Sequence, residues 1–148
     1  MVCLGNICRS PMAEGLLREL ARSGGLVIHT DSAGTGDHHV GEPPDRRAQA
    51  AMQRQHIDIS DLRARQFIAA DFDRFDLILA MDAHNLQDMR ELAPDFALAE
   101  KAKLIMDYAP THPLREVPDP YYGGDEDFDE VHRMLREACE NLLKDVRG

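Results

Sequence analysis

Met1-Val2-Cys3-Leu4-Gly5-Asn6-Ile7-Cys8-Arg9-Ser10-Pro11 opens the chain. Five residues separate Cys3 from Arg9, and a serine and a proline follow at once. Proline suits the first turn of a helix, where an N–H has no partner to lose. The stretch therefore reads as a loop running into a helix N-terminus. Successive loop N–H groups can curl into a cradle for an oxyanion. The helix start adds unpaired donors and partial positive charge. Arg9 supplies a planar fork able to grip two oxygens of a phosphate. A cysteine in such a cradle is a candidate nucleophile, which singles out Cys3. Gly5 permits unusual backbone angles and the close approach of a ligand. Asn6 tolerates a left-handed conformation, and Ser10 can donate a hydrogen bond to a thiolate.

Outward from this loop, helical and strand patterns alternate. Pro11 to Arg22 carries apolar residues at Met12, Leu16, Leu17 and Leu20, the spacing of a helix face. Val27 to Asp31 follows a Gly-Gly break and reads as a strand. Phe75 to Met81 is a stronger strand, its apolar core too short for a typical helix, and Lys103 to Met106 is a third. Helices are expected over Pro44 to Gln55, His84 to Leu92 and Asp127 to Val146. The last has an acidic start that suits the helix dipole. Its stripe runs through Phe128, Val131, Met134, Leu135, Cys139, Leu142 and Leu143. Alternation of this kind implies an α/β domain with a parallel sheet, whose ligands bind beyond the carboxyl ends of the strands.

Composition narrows the functions. The 148 residues suit one domain with a real core. Hydrophobic residues make up 43% and charged residues 30%, and no apolar run approaches the roughly 20 residues that span a bilayer. No leader for export is visible. Three cysteines argue against a disulfide framework and for a reducing compartment, so a cytoplasmic protein is expected. The net charge of −10 argues against nucleic acid as a partner, which needs a basic footprint. It also requires a phosphate site to be positive locally, as the opening loop can be.

The string C-L-G-N-I-C-R-S-P resembles the signature loop of the low-molecular-weight tyrosine phosphatases. The resemblance continues in order through Thr30-Asp31-Ser32-Ala33-Gly34, Ala64-Arg65-Gln66, Met81-Asp82 and Asp119-Pro120-Tyr121-Tyr122. It implies a three-layer α/β sandwich with a twisted, four-stranded parallel sheet and helices on both faces, the phosphotyrosine protein phosphatase I-like fold. It implies a phosphocysteine intermediate on Cys3. Arg9 and the N–H groups of Leu4, Gly5, Asn6, Ile7 and Cys8 would bind phosphate. Ser10 would stabilise the leaving thiolate, and Asn6 and Ser32 would hold the loop in shape. Asp119 would be the acid in the first step and the base in the second. Without the resemblance, Asp119-Pro120 is only a turn former. Tyr121 and Tyr122 would flank a phosphotyrosine ring. His38 stands where many relatives carry an aromatic or aliphatic wall of the cleft, which puts peptide preference in question. Leu62 replaces a histidine that supports the loop in many relatives. The implied partner is a phosphotyrosine-containing protein; bacterial relatives often oppose a tyrosine kinase in polysaccharide export. A monomer is the default.

Cys8 reads equally as a small loop residue and as a redox partner of Cys3, and Cys139 as core. His56 matches a family histidine but reads equally as a surface residue. The histidines and carboxylates show no ligand spacing, so neither metal nor cofactor is expected. Arsenate reduction needs further thiols, and the Phe75–Met81 region has none. Family members inclined to phosphoarginine have threonine at the position of Ile7. A mere binding module could dispense with Cys3 or Asp119, and both are present. Relatives carry a strand of several residues before the signature cysteine, whereas Met1 and Val2 alone precede Cys3 here. The expectation is a sequence that begins downstream of its natural start.

Overall fold

Four short parallel strands carry the fold. β1 (Val2–Cys3) lies between β2 (Ala33–Gly34) and β3 (Ile78–Ala80), and β4 (Ala102–Leu104) pairs with the far side of β3, giving the order β2-β1-β3-β4. The computed structural model describes residues 1–148. Val2 lies in register with Ala33 on one side and Ala80 on the other. Parallel neighbours need crossover connections, and helices supply them. α1 (Arg9–Ser23) links β1 to β2. α2 (Arg46–Gln53) and α3 (Asp71–Arg74) lie between β2 and β3. α4 (Ala83–Glu91) and α5 (Phe96–Ala99) precede β4, and α6 (Asp125–Arg147) ends the chain. The strand order reverses at β1, so the open crevice lies at its carboxyl end, where Cys3 sits.

The pleat sends alternate side chains to opposite faces. Cys3, Leu79 and Met81 join the larger core with α1, α2 and α6, while Val2, Ile78 and Ala80 join a smaller one with Phe67, Phe72 and Met89. The result is a three-layer α/β sandwich. All seven stripe residues of α6, from Phe128 to Leu143, are buried. No helix is long and apolar enough to cross a membrane.

The elements depart from the sequence reading in informative ways. Val27–Asp31 is not a strand; β2 begins at Ala33. Pairing occurs where β1 offers partners, and β1 has only Val2 and Cys3 to give. Upstream of Ala33, a single hydrogen bond from the Met1 amine reaches Asp31 O (3.1 Å). β3 and β4 are shorter than expected, and Ile105–Tyr108 forms a 3-10 turn instead of continuing β4. α1 starts at Arg9, two residues before Pro11, because the first helical N–H groups lack partners and proline fits anywhere among them. α2 is shorter than Pro44–Gln55, α4 starts one residue early, and α6 begins at Asp125, with Asp127 Oδ2 accepting from Gly124 N (2.8 Å).

Gly34 marks the closest approach between β2 and the opening loop. A Cβ there would lie 2.7 Å from Leu4 O and 3.2 Å from both Asn6 N and Asn6 Cβ. Backbone cannot yield as a side-chain end can. Gly34→Ala should destabilise the fold by about 1–3 kcal/mol, read from the denaturant midpoint; an unchanged midpoint would show that β2 and the loop can separate.

Candidate active site

β1 delivers Cys3 to the carboxyl end of the sheet, and residues 4–8 turn back to start α1 at Arg9. Asn6 takes the left-handed conformation (φ 56°), as its short polar side chain allows. Gly5 does not; its Cβ would instead meet His39 Cδ2 at 3.2 Å, so glycine is there for room. Cys3 is 3% exposed, and its Sγ lies 3.3 Å from Asn6 N and 3.0 Å from Ser10 Oγ.

The donor directions in this buried cluster can be assigned. Arg65 N donates to Asn6 Oδ1 (3.0 Å), which turns the Asn6 amide nitrogen inward. Asn6 Nδ2 then donates to Ser10 Oγ (2.7 Å) and to Ser32 Oγ (2.9 Å). Each serine has an acceptor site filled, so each hydroxyl proton is free to point away from Asn6. Ser32 donates to Glu14 Oε1 (2.6 Å). Ser10 is left to donate to Cys3 Sγ. One amide thus aims a proton at the sulfur. Burial pushes the Glu14 carboxyl above its ordinary value, while the Ser32 hydrogen bond opposes the shift.

Arg9 is equally buried at 3% exposure. Its Nη1 donates to Asp82 Oδ2 (2.7 Å) and to Val117 O (3.0 Å). Asp82 follows β3 and caps α4, accepting from Asn85 N (2.8 Å). These contacts use one arm of the guanidinium. Nη2 lies 3.8 Å from Asp119 Oδ2, too long for a hydrogen bond. Asp119 keeps 45% of its side chain exposed and holds only Tyr121 N (3.1 Å). Its carboxyl therefore stands at the edge of the crevice, uncommitted. Tyr121 and Tyr122 meet edge to face at 5.0 Å, the first half-exposed and the second open to solvent.

The remaining expected residues separate. Leu4 is exposed, and its carbonyl accepts from Gly36 N (2.9 Å). Ile7 and Cys8 face the core. Burial, with the charge of Asp45 adding to it, pushes the Cys8 thiol up to about 12, so Cys8 is a neutral thiol beside the loop. His38 is exposed, while its neighbour His39 bonds Glu42 Oε2 (2.6 Å) and lies against Gly5. His56 is exposed with φ 61°. Leu62 packs against the larger core, and polar support for the loop comes from Ser32, Glu14 and Arg65 instead. Cys139 is fully buried, its thiol also raised to about 12 by burial. Asp82 and Glu14 have no role in the sequence reading. Asp82 enters it only as part of the resembling Met81-Asp82 stretch at the end of a predicted strand, and Glu14 has no signal beyond its place inside the first helix.

The family model for low molecular weight phosphotyrosine protein phosphatase matches residues 1–148. The chain is 44% identical over 148 residues to the low molecular weight protein-tyrosine-phosphatase YfkJ of Bacillus subtilis, covering 99% of this chain and 93% of that one. It is 40% identical over 146 residues to the low molecular weight phosphotyrosine protein phosphatase of Homo sapiens, covering 97% and 91%. The crystal structure of a protein tyrosine phosphatase from Entamoeba histolytica, with Hepes in its active site, superposes with a TM-score of 0.94 at 36% identity, covering 99% and 94%.

A glutamate with a raised folded-state pKa stabilises the fold only while protonated. For Glu14 that contribution is complete below the ordinary value of 4.5 and fades as pH rises through the folded-state value. Glu14→Gln stays neutral throughout. Its melting temperature, relative to the parent protein, should climb as pH is raised from 4.5 towards neutrality; a difference that does not change with pH would contradict a Glu14 carboxyl raised by burial.

Proposed function

The chain belongs to the low molecular weight phosphotyrosine protein phosphatase family, and we propose that it hydrolyses phosphotyrosine in proteins through a phosphocysteine formed on Cys3. Its relatives are named as protein-tyrosine phosphatases, and it is a phosphatase. The observation that carries the finer reading is the single hydrogen-bonded chain from Arg65 N through Asn6 and Ser10 to Cys3 Sγ.

Chemistry follows from these contacts. The phosphoryl group sits in the loop, its oxygens facing the backbone N–H groups of residues 4–8 and the free edge of Arg9. Cys3 Sγ attacks phosphorus, an S–P bond forms and the P–O bond to the tyrosine breaks. Asp119, protonated for this step, gives its proton to the departing oxygen. Water then attacks the phosphocysteine, and Asp119 takes a proton from it. The S–P bond breaks, releasing inorganic phosphate and a thiolate that Ser10 Oγ and Asn6 N receive. Fixed donors aimed at developing charge do most of this work, since they need no reorganisation as the charge appears. Tyr121 offers an aromatic face to the substrate ring, and the exposed His38, beside Gly36, is a candidate contact. Charge balance supports the reading too: the chain carries −10, and the buried Arg9 is its local exception.

Hydrolysis of p-nitrophenyl phosphate and a phosphotyrosine peptide, with chelator present, should occur in the parent protein and disappear in Cys3→Ser. Residual turnover near the parent level would end the nucleophile assignment. Asp119→Ala should lower kcat/KM for poor leaving groups by about 10²–10⁴-fold and spare good ones. Equal losses across leaving groups would remove the acid role.

A further inference from the structure

We propose that Asp45 and Arg47 form a clamp that sets the distance between the phosphate loop and the loop carrying Asp119, making Arg47 a positioning residue for leaving-group protonation. This rests on the reading of Asp119 as general acid.

Asp45 touches the phosphate loop directly: its N–H donates to Ile7 O (2.7 Å). Its side chain caps α2, accepting from Arg47 N (2.8 Å). The same carboxylate takes both Arg47 Nε and Arg47 Nη2, each at 3.1 Å. The other arm of the fork, Nη1, donates to Gly123 O (3.1 Å), in the loop that bears Asp119. Two residues of one helix start thus hold the nucleophile's loop with one hand and the acid's loop with the other.

The bond from Arg47 to Gly123 is the only hydrogen bond that ties that loop to the rest of the molecule, beside the buried Pro120 ring and the 3.8 Å approach of Asp119 Oδ2 to Arg9 Nη2. Val117 is anchored by Arg9 Nη1 and by its own N–H to Met81 O (2.8 Å). Beyond it, residues 118–123 receive a single hydrogen bond from elsewhere in the molecule, the one from Arg47. The guanidinium also lies 5.5 Å from the Tyr121 ring centroid and 4.7 Å from that of Phe128, at the start of α6. A planar cation that binds a carboxylate by one edge, a carbonyl by the other and aromatic rings by its face uses every recognition mode of arginine. Lysine offers a point charge and cannot span the three sites. Asp119 itself hydrogen-bonds only within its loop; the buried Pro120 fixes one end of the turn, and Arg47 at Gly123 fixes the other. Misplacement by about 1 Å can cost on the order of a hundredfold in rate.

The test is kcat/KM, which reports the steps through first P–O cleavage, for phenyl phosphate (a poor leaving group) and 2,4-dinitrophenyl phosphate (a good one). The variants are Arg47→Met, Arg47→Lys, Asp119→Ala and the double variant Arg47→Met/Asp119→Ala. Met preserves the apolar stem against Phe128 and removes the hydrogen bonds. Arg47→Met should lower phenyl phosphate turnover by about tenfold to a hundredfold, with the dinitrophenyl ester within about twofold, since a good leaving group needs no proton. Arg47→Lys should fall between. In the Asp119→Ala background, Arg47→Met should add little for either ester. Equal losses on both esters, or a loss undiminished in that background, would overturn the clamp by showing a role in folding or substrate binding alone. Leaving-group dependence in Asp119→Ala but none in Arg47→Met would overturn the clamp and leave the general acid standing. No dependence in Asp119→Ala would overturn both.

Discussion

The buried side chain of Asn6 is the interaction on which the site depends. A loop that points its N–H groups inward at an anion has few backbone partners of its own. Something must hold it open against collapse, and the left-handed turn at Asn6 (φ 56°) is a conformation most residues resist. Its amide compensates with three hydrogen bonds, a part-buried one from the backbone at Arg65 and two buried ones to Ser10 and Ser32. Because Arg65 N fixes which end of the amide is which, the serine protons are directed too, and one of them reaches Cys3 Sγ. A polar network of this sort is valuable only when complete, since each buried unsatisfied group costs about 1–3 kcal/mol. The ends are accounted for: Arg65 is tied through its guanidinium to Asp31 and the buried Asp71, and Ser32 ends on Glu14.

Charge is handled locally. Arg9 is buried against Asp82, which fixes the guanidinium and offsets part of its charge. Only one arm is engaged, so the fork keeps donors for an oxyanion. Asp119 Oδ2 stands 3.8 Å from Arg9 Nη2, a long ion pair without a hydrogen bond. The proposed general-acid role needs that freedom, because a carboxylate locked in a tight ion pair could not exchange its proton. Asp45, near the loop on its other side, is occupied by Arg47, whose remaining donor serves Gly123. Acidic groups surround the crevice, yet those nearest the loop are each paired or half in solvent.

Much of this was legible from the opening eleven residues. The spacing from Cys3 to Arg9, the helix after it and the left-handed tolerance of Asn6 are local properties, and local properties are what a sequence displays. The apolar stripe of α6 was legible for the same reason. Strands were read less well. Val27–Asp31 has a strand's composition but no β1 residues opposite it, and pairing is decided by the partner. What stayed hidden was long-range: Arg9 meets Asp82 across 73 residues, Arg65 meets Asn6 across 59 and Arg47 meets Gly123 across 76. Glu14 looked like an ordinary helix residue, because nothing in its neighbours announces that its side chain turns inward to Ser32.

A covalent phosphoenzyme on Cys3 is the central claim, and rapid acid quench of the parent protein during turnover of an aryl phosphate, followed by peptide mass spectrometry, tests it most directly. One phosphoryl group should appear on the peptide containing Cys3, its fragments placing it on Cys3 and leaving Cys8 unmodified, with the adduct absent from Cys3→Ser. Phosphate on Cys8 or on a histidine, or steady turnover with no adduct trapped at any quench time, would contradict it.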